Sequence, residues 1–99
     1  MLTVIAKLKV KADRTAAFEA EAQKMIAHVK ANEPGTLAYV CNKSTADPTT
    51  YLFYEVYGDH GAFAVHGGSD AMKAFFAAMP GLLDGRPELE MYEPVASAR

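Results

Sequence analysis

The chain has one cysteine, no tryptophan and no long hydrophobic run. With Cys41 alone there is no intrachain disulfide and no cysteine metal cluster, so a reduced, cytoplasmic setting is expected. The longest apolar run falls far short of the roughly 20 residues that a membrane-spanning helix needs. Met1-Leu2-Thr3 leads straight into an alternating segment, without the basic and apolar regions of a signal peptide. Charge is scarce in excess as well. Ten basic residues against 12 acidic ones leave a net charge of −2, which gives no reason to expect nucleic acid or an anionic membrane as a partner. There is no HExxH, no phosphate-cradling glycine loop and no internal repeat. His60 and His66, six positions apart, would stand about 120° apart around one helix, so no metal site is expected. What is present is ordinary: 99 residues, 51% hydrophobic and 22% charged, which suit one globular domain over residues 1–99.

Periodicity gives the elements. In Leu2–Val10 the apolar Leu2, Val4, Ala6, Leu8 and Val10 alternate with Thr3, Ile5, Lys7 and Lys9, the period of a strand. Asp13 is a candidate N-cap. From Arg14, Phe18, Ala22, Met25, Ile26 and Val29 form the stripe of an amphipathic helix of roughly 18 residues. His28 falls off that stripe and reads as solvent-facing. Glu33-Pro34-Gly35 ends the helix. Strands follow at Thr36–Lys43 and Thr50–Tyr57, joined as a hairpin through Asp47-Pro48. Gly58-Asp59 turns the chain into a short helix carrying His66. Gly67-Gly68-Ser69 interrupts it, a second helix begins, and Met79-Pro80-Gly81 breaks that one. Arg86–Val95 supplies the last strand, with Leu89, Met91 and Val95 against Glu88 and Glu90.

The order βαββ(αα)β predicts an α+β, ferredoxin-like sandwich with helices on one face of a four-stranded antiparallel sheet. The third strand is apolar on both sides: Leu52, Tyr54 and Val56 on one, Tyr51, Phe53 and Tyr57 on the other. One set can face the helices, and no further helix exists for the other. A second copy, packed sheet to sheet through a two-fold interface, is the expected cover.

The strand VIAKLKVK, Glu33-Pro34-Gly35 with Tyr39 four residues on, and the run YEVYGDHGAFAVHGGSDAMKAF resemble the antibiotic biosynthesis monooxygenases. Glu55, Tyr57, Asp59, Ala62, His66 and Ser69 match the pattern of that family in register, and the resemblance covers nearly the whole chain. It departs at Ala71, where many members have His or Tyr, and at the Gly67-Gly68 linker. The resemblance implies a dimeric α/β barrel built from two such protomers, with a pocket between sheet and helices in each. It also implies oxidation of an electron-rich aromatic, a quinol or polyketide-like phenol, by O2 without metal or flavin.

Cofactor-free oxygenation needs a deprotonated phenol or hydroquinone, because the anion reduces O2 far more readily than the neutral form. The site therefore requires a base near neutral pH and a mostly apolar cavity. His66 titrates in the right range and shares a helix face with Phe63 and Ala62; its other reading is a buried histidine that fixes the helix break. Tyr57 takes the position of a pocket aromatic in the family, or packs in the core. Glu55, on the same strand face, could orient His66 or Tyr57, or bridge to Lys7 or Arg86. Lys7, Asn42 and Tyr39 complete the candidate substrate contacts. An isomerase or lyase using the same base without O2 is the enzymatic alternative. A non-catalytic dimeric binding or stress-related module is the third reading.

Overall fold

The computed structural model describes residues 1–98. It has eight elements: β1 (Leu2–Lys9), α1 (Thr15–Asn32), β2 (Thr36–Lys43), β3 (Thr50–Tyr57), α2 (His60–Gly67), α3 (Asp70–Ala78), a 3₁₀ turn (Met79–Gly81) and β4 (Glu88–Tyr92). The sheet order is β2-β3-β1-β4 and every pairing is antiparallel. This is the ferredoxin-like α+β architecture, with the helices on one face. No helix among the described residues is long and apolar enough to cross a membrane.

The alternation of β1 does what its period requires. Leu2, Val4, Ala6 and Leu8 are buried under the helices, while Lys7 and Lys9 are exposed on the other side. On β3 the helix-facing set is Tyr51, Phe53, Glu55 and Tyr57. The α1 stripe buries Phe18, Ala22, Met25 and Val29 against them. Phe18 is the centre of this packing, its ring 4.6 Å from Tyr51, 6.4 Å from Phe53 and 6.3 Å from Phe75.

Several boundaries differ from the sequence reading: β1 ends at Lys9 rather than Val10, and β4 starts at Glu88 rather than Arg86. Asp13 does not cap α1: the chain makes a turn closed by Arg14 N–H donating to the Lys11 carbonyl, and Arg14 occupies the cap position without a side-chain bond. The last strand stops at Tyr92 rather than Val95. Tyr92 pairs with Thr3, and β1 begins at Leu2, so the ladder runs out of partners where Pro94 could not donate anyway. Leu89 and Met91 do alternate onto the helix side, opposite Ala6 and Val4. No helix covers them there, and both are exposed.

One close approach fixes how the helices meet. A Cβ on Gly35 would lie 2.7 Å from Ala62 Cβ, so only glycine lets the turn after α1 rest against the first turn of α2.

Candidate active site

The residues of interest are delivered by helix ends and by one strand. Glu33 leaves α1 at φ −125°, ψ 76°, its N–H still bonded to the Val29 carbonyl at 3.0 Å. That departure turns its carboxylate inward, where it is 5% exposed. α2 starts with Asp59 as N-cap, accepting from Ala62 N–H at 2.7 Å. It ends beside Ser69, whose hydroxyl donates to the His66 carbonyl at 2.8 Å and accepts from Met72 N–H at 3.1 Å. The His66-x-x-Ser69 spacing is therefore a helix junction, with Ser69 capping α3 while holding the backbone of His66.

At this junction His66 is 2% exposed. Its Nδ1 lies 2.9 Å from Glu33 Oε1. A carboxylate can only accept, so Nδ1 carries the hydrogen and donates. Nε2 is then the free lone pair, buried and without a partner among the described residues. Burial holds the imidazole below its ordinary pKa, opposed by the bond to Glu33. Tyr39 stacks at 5.0 Å between ring centres and Tyr57 at 5.5 Å. Thr36 Oγ1 also donates to Glu33 Oε1, at 2.9 Å.

Glu55 is 5% exposed and accepts from the Tyr57 hydroxyl at 2.5 Å. Burial pushes its carboxyl up to about 7, a rise that the Tyr57 bond opposes and the charge of Glu33 reinforces. Tyr57 itself is pushed far above the ordinary phenol range, first by burial and then by Glu55. Tyr39 is raised likewise. Both phenols are neutral donors at any physiological pH.

A cavity of about 130 Å³ opens beside this cluster. It is lined by Val4, Phe53, Phe63, Phe75 and other apolar side chains, with Tyr39, Glu55 and His66 as its polar groups and Pro87 and Leu89 at the β4 edge. Of the sequence candidates, His66, Glu55 and Tyr39 border it. Tyr57 is fully buried and outside the lining; it supports Glu55 and His66 from behind. Lys7 and Asn42 do not join them. The pleat turns both to the opposite face of the sheet, where Lys7 pairs with Glu90 at 3.7 Å and Asn42 donates to the Leu52 carbonyl at 3.1 Å. Glu55 accordingly meets neither Lys7 nor Arg86, and its partner is Tyr57.

Two residues escaped the sequence reading. Glu33 had passed as part of a helix stop, and His28 as solvent-facing. His28 is half-buried, its Nε2 3.0 Å from Glu33 Oε2, close enough for an ion pair but off the line of a hydrogen bond. The available signal was thin: His28 lies three residues after the buried Met25, at the edge of the apolar stripe.

The pH dependence of stability follows from Glu55. A carboxyl raised to about 7 from 4.5 binds its proton more tightly in the folded than in the unfolded state. Its contribution is full below pH 4.5 and is lost as the pH rises through 7, on the order of 3 kcal/mol in all. Glu55→Gln keeps an acceptor for Tyr57 and cannot ionise. Between about pH 5 and 7 the Tm of the unmodified protein should therefore fall relative to that of the variant. Parallel Tm profiles would refute the assignment. His66, lowered, acts in the other direction and removes stability from both proteins as the pH drops below 6.5.

A small antiparallel α+β domain with an imidazole–carboxylate pair at an apolar cavity is the class of protein that fold and site define. The family model for antibiotic biosynthesis monooxygenase matches residues 1–78, which include Glu33, Glu55, Tyr57 and His66, and the chain belongs to that family. Among solved structures, a candidate antibiotic biosynthesis monooxygenase from Caulobacter crescentus CB15 is 38% identical, with 96% of this chain and 90% of that one covered at a TM-score of 0.92. A protein from Shewanella oneidensis is 28% identical over 92% of this chain and 87% of its own, TM-score 0.85. One from Mycobacterium tuberculosis, 23% identical, shares the fold over 99% and 98% at 0.90. No match was found among curated proteins.

Proposed function

We propose that this protein is a cofactor-independent monooxygenase of small, uncharged phenols or hydroquinones, with O2 as co-substrate, working as a homodimer. The observation that carries the reading is the unpartnered Nε2 of a buried, carboxylate-backed imidazole on an apolar cavity. Such an atom is a base held ready for a substrate proton. Among the described residues no lysine or arginine borders the cavity, so none of them would pair there with a substrate carboxylate or phosphate. Its volume of about 130 Å³ is close to the roughly 150 Å³ that accommodates benzene, which favours one ring over a fused polyketide.

In the proposed reaction His66 Nε2 takes the phenolic proton. The anion passes one electron to O2, and the substrate radical and superoxide combine to form a C–O bond. The hydroperoxide recovers the proton, its O–O bond breaks, and water leaves as the carbonyl forms. One oxygen atom enters the substrate, the other departs as water, and the substrate supplies all the electrons. For benzene-1,4-diol the products are hydroxybenzoquinone and water. Apolar walls shield the radical pair.

The dimer reading rests on the sheet face opposite the helices, where Ile5, Val40, Leu52 and Tyr54 stand together without a helix over them, Val40 and Tyr54 exposed.

The test is oxygen uptake with a panel of single-ring hydroquinones, together with mass analysis after turnover in ¹⁸O2. One labelled atom per product molecule is expected. Uptake no faster than autoxidation in buffer across the panel would overturn the proposal, and proton exchange into a carbonyl substrate without uptake would favour the enolising alternative.

A further inference from the structure

Glu33 has more donors than one imidazole requires. Oε1 accepts from His66 Nδ1 at 2.9 Å and from Thr36 Oγ1 at 2.9 Å. Oε2 faces His28 Nε2 at 3.0 Å, and neither of these two buried atoms has another bonded partner among the described residues. The tautomer of His28 can be worked out. Asn32 Nδ2 donates to the His28 carbonyl at 3.1 Å, which orients its amide. The same nitrogen is 3.3 Å from His28 Nδ1, which therefore accepts. The ring hydrogen of neutral His28 is on Nε2, the nitrogen that lies 3.0 Å from Glu33 Oε2 without lining up as a hydrogen bond. One carboxylate thus lies between two imidazoles, one sealed at the cavity and one in reach of solvent, with side-chain exposures of 2% and 26%.

We infer that Glu33 and His28 are positioning residues for His66, and that His28 sets how much of the Glu33 charge is available to it. The inference rests on the reading of His66 as the base. A carboxylate shared with a protonated His28 supports an imidazolium at His66 less than one that faces His66 alone. The solvent-reaching ring therefore acts on the sealed one through the carboxylate that lies between them. The other groups packed against His66 are Tyr39 from β2 and Tyr57 from β3, both neutral phenols across the working range. Glu55 lies behind the Tyr57 hydroxyl, its carboxyl pushed up to about 7 by burial. It must be silenced to see the effect cleanly.

The experiment is an NMR titration of the imidazole nitrogens of ¹⁵N-labelled protein, without ligand, in a Glu55→Gln background. His60, exposed at the start of α2, serves as the internal control. His28→Gln should move the His66 titration up by about one pH unit, the scale on which a neighbouring charge acts, and Glu33→Gln should move it down. His60 should stay in place in both. The acid limb of the oxygen-uptake profile should follow in the same opposite directions, which a merely structural role would not produce. An unmoved His66 curve in folded His28→Gln overturns the inference. His28 is half-buried at the helix surface, so this variant decides even if Glu33→Gln unfolds. Absence of oxygen uptake with every hydroquinone, accompanied by the two NMR shifts, would reject the monooxygenase reading and leave the charge sharing in place.

Discussion

His66→Gln should lower hydroquinone turnover by a factor of about 10²–10⁴, the loss expected when a positioned base is removed. The glutamine amide can still donate to Glu33 Oε1, so the buried carboxylate keeps its partner and the helix junction its Ser69 bond. It offers no basic lone pair to the cavity. Tm should therefore stay within a few degrees while activity collapses. His66→Ala is the less clean variant, because it leaves a void beside a buried carboxylate and should cost stability as well. In the unmodified enzyme turnover should rise with pH through the His66 titration, which lies below its ordinary 6.5 because burial disfavours the charged ring. Undiminished turnover in a folded His66→Gln protein would end the case for this residue as the base.

Tyr54→Asp should abolish self-association. Tyr54 is 42% exposed in the protomer, on the face away from the helices, so the substitution spares the core. In a two-fold interface it appears twice. Each copy would bring in an uncompensated charge at about 3–5 kcal/mol, and a loss of that size weakens association by roughly 10³-fold or more. Sedimentation velocity should give a dimer for the unmodified chain and a folded monomer for the variant. A monomer in the first case, or a surviving dimer in the second, would refute sheet-to-sheet assembly.

The bounds of β2 and β3 and the break between α2 and α3 could be read from the sequence because they rest on local rules: two-residue alternation, glycine, proline and caps. His66 and Glu55 could be singled out for a similar reason, since a titratable group in an apolar run is conspicuous. Glu33 was not. Its burial depends on the dihedral angles of one cap residue and on where a helix more than thirty positions later comes to rest, and neither is a property of its neighbours in sequence. Lys7 and Asn42 show the opposite error. Lys7 was placed at the pocket by family resemblance and Asn42 as a further candidate contact, whereas the pleat of their own strands sends both to the other face. For Lys7 the alternation Leu2, Val4, Ala6, Leu8 already said so. The β2 bulge between Thr36 and Ala38 is what uncouples that strand's faces, placing Thr36 toward Glu33 and Ala38 with Val40 and Asn42 on the far side.

The contact between Gly35 and Ala62 sets how much sequence drift the protein tolerates at two positions outside the lining of the cavity beside His66. Residues 33 and 66 are joined by a 2.9 Å bond, and the backbones that carry them touch where a glycine meets an alanine methyl. One added carbon on either side would wedge the end of α1 away from α2 by an appreciable fraction of that bond length. A hydrogen bond weakens steeply with such stretching, so the methyl would be felt at the imidazole before it was felt in the melting curve. Neutral variation at 35 and 62 is thus narrower than their modest burial and plain chemistry would suggest, and selection on the reaction reaches them through steric thickness alone.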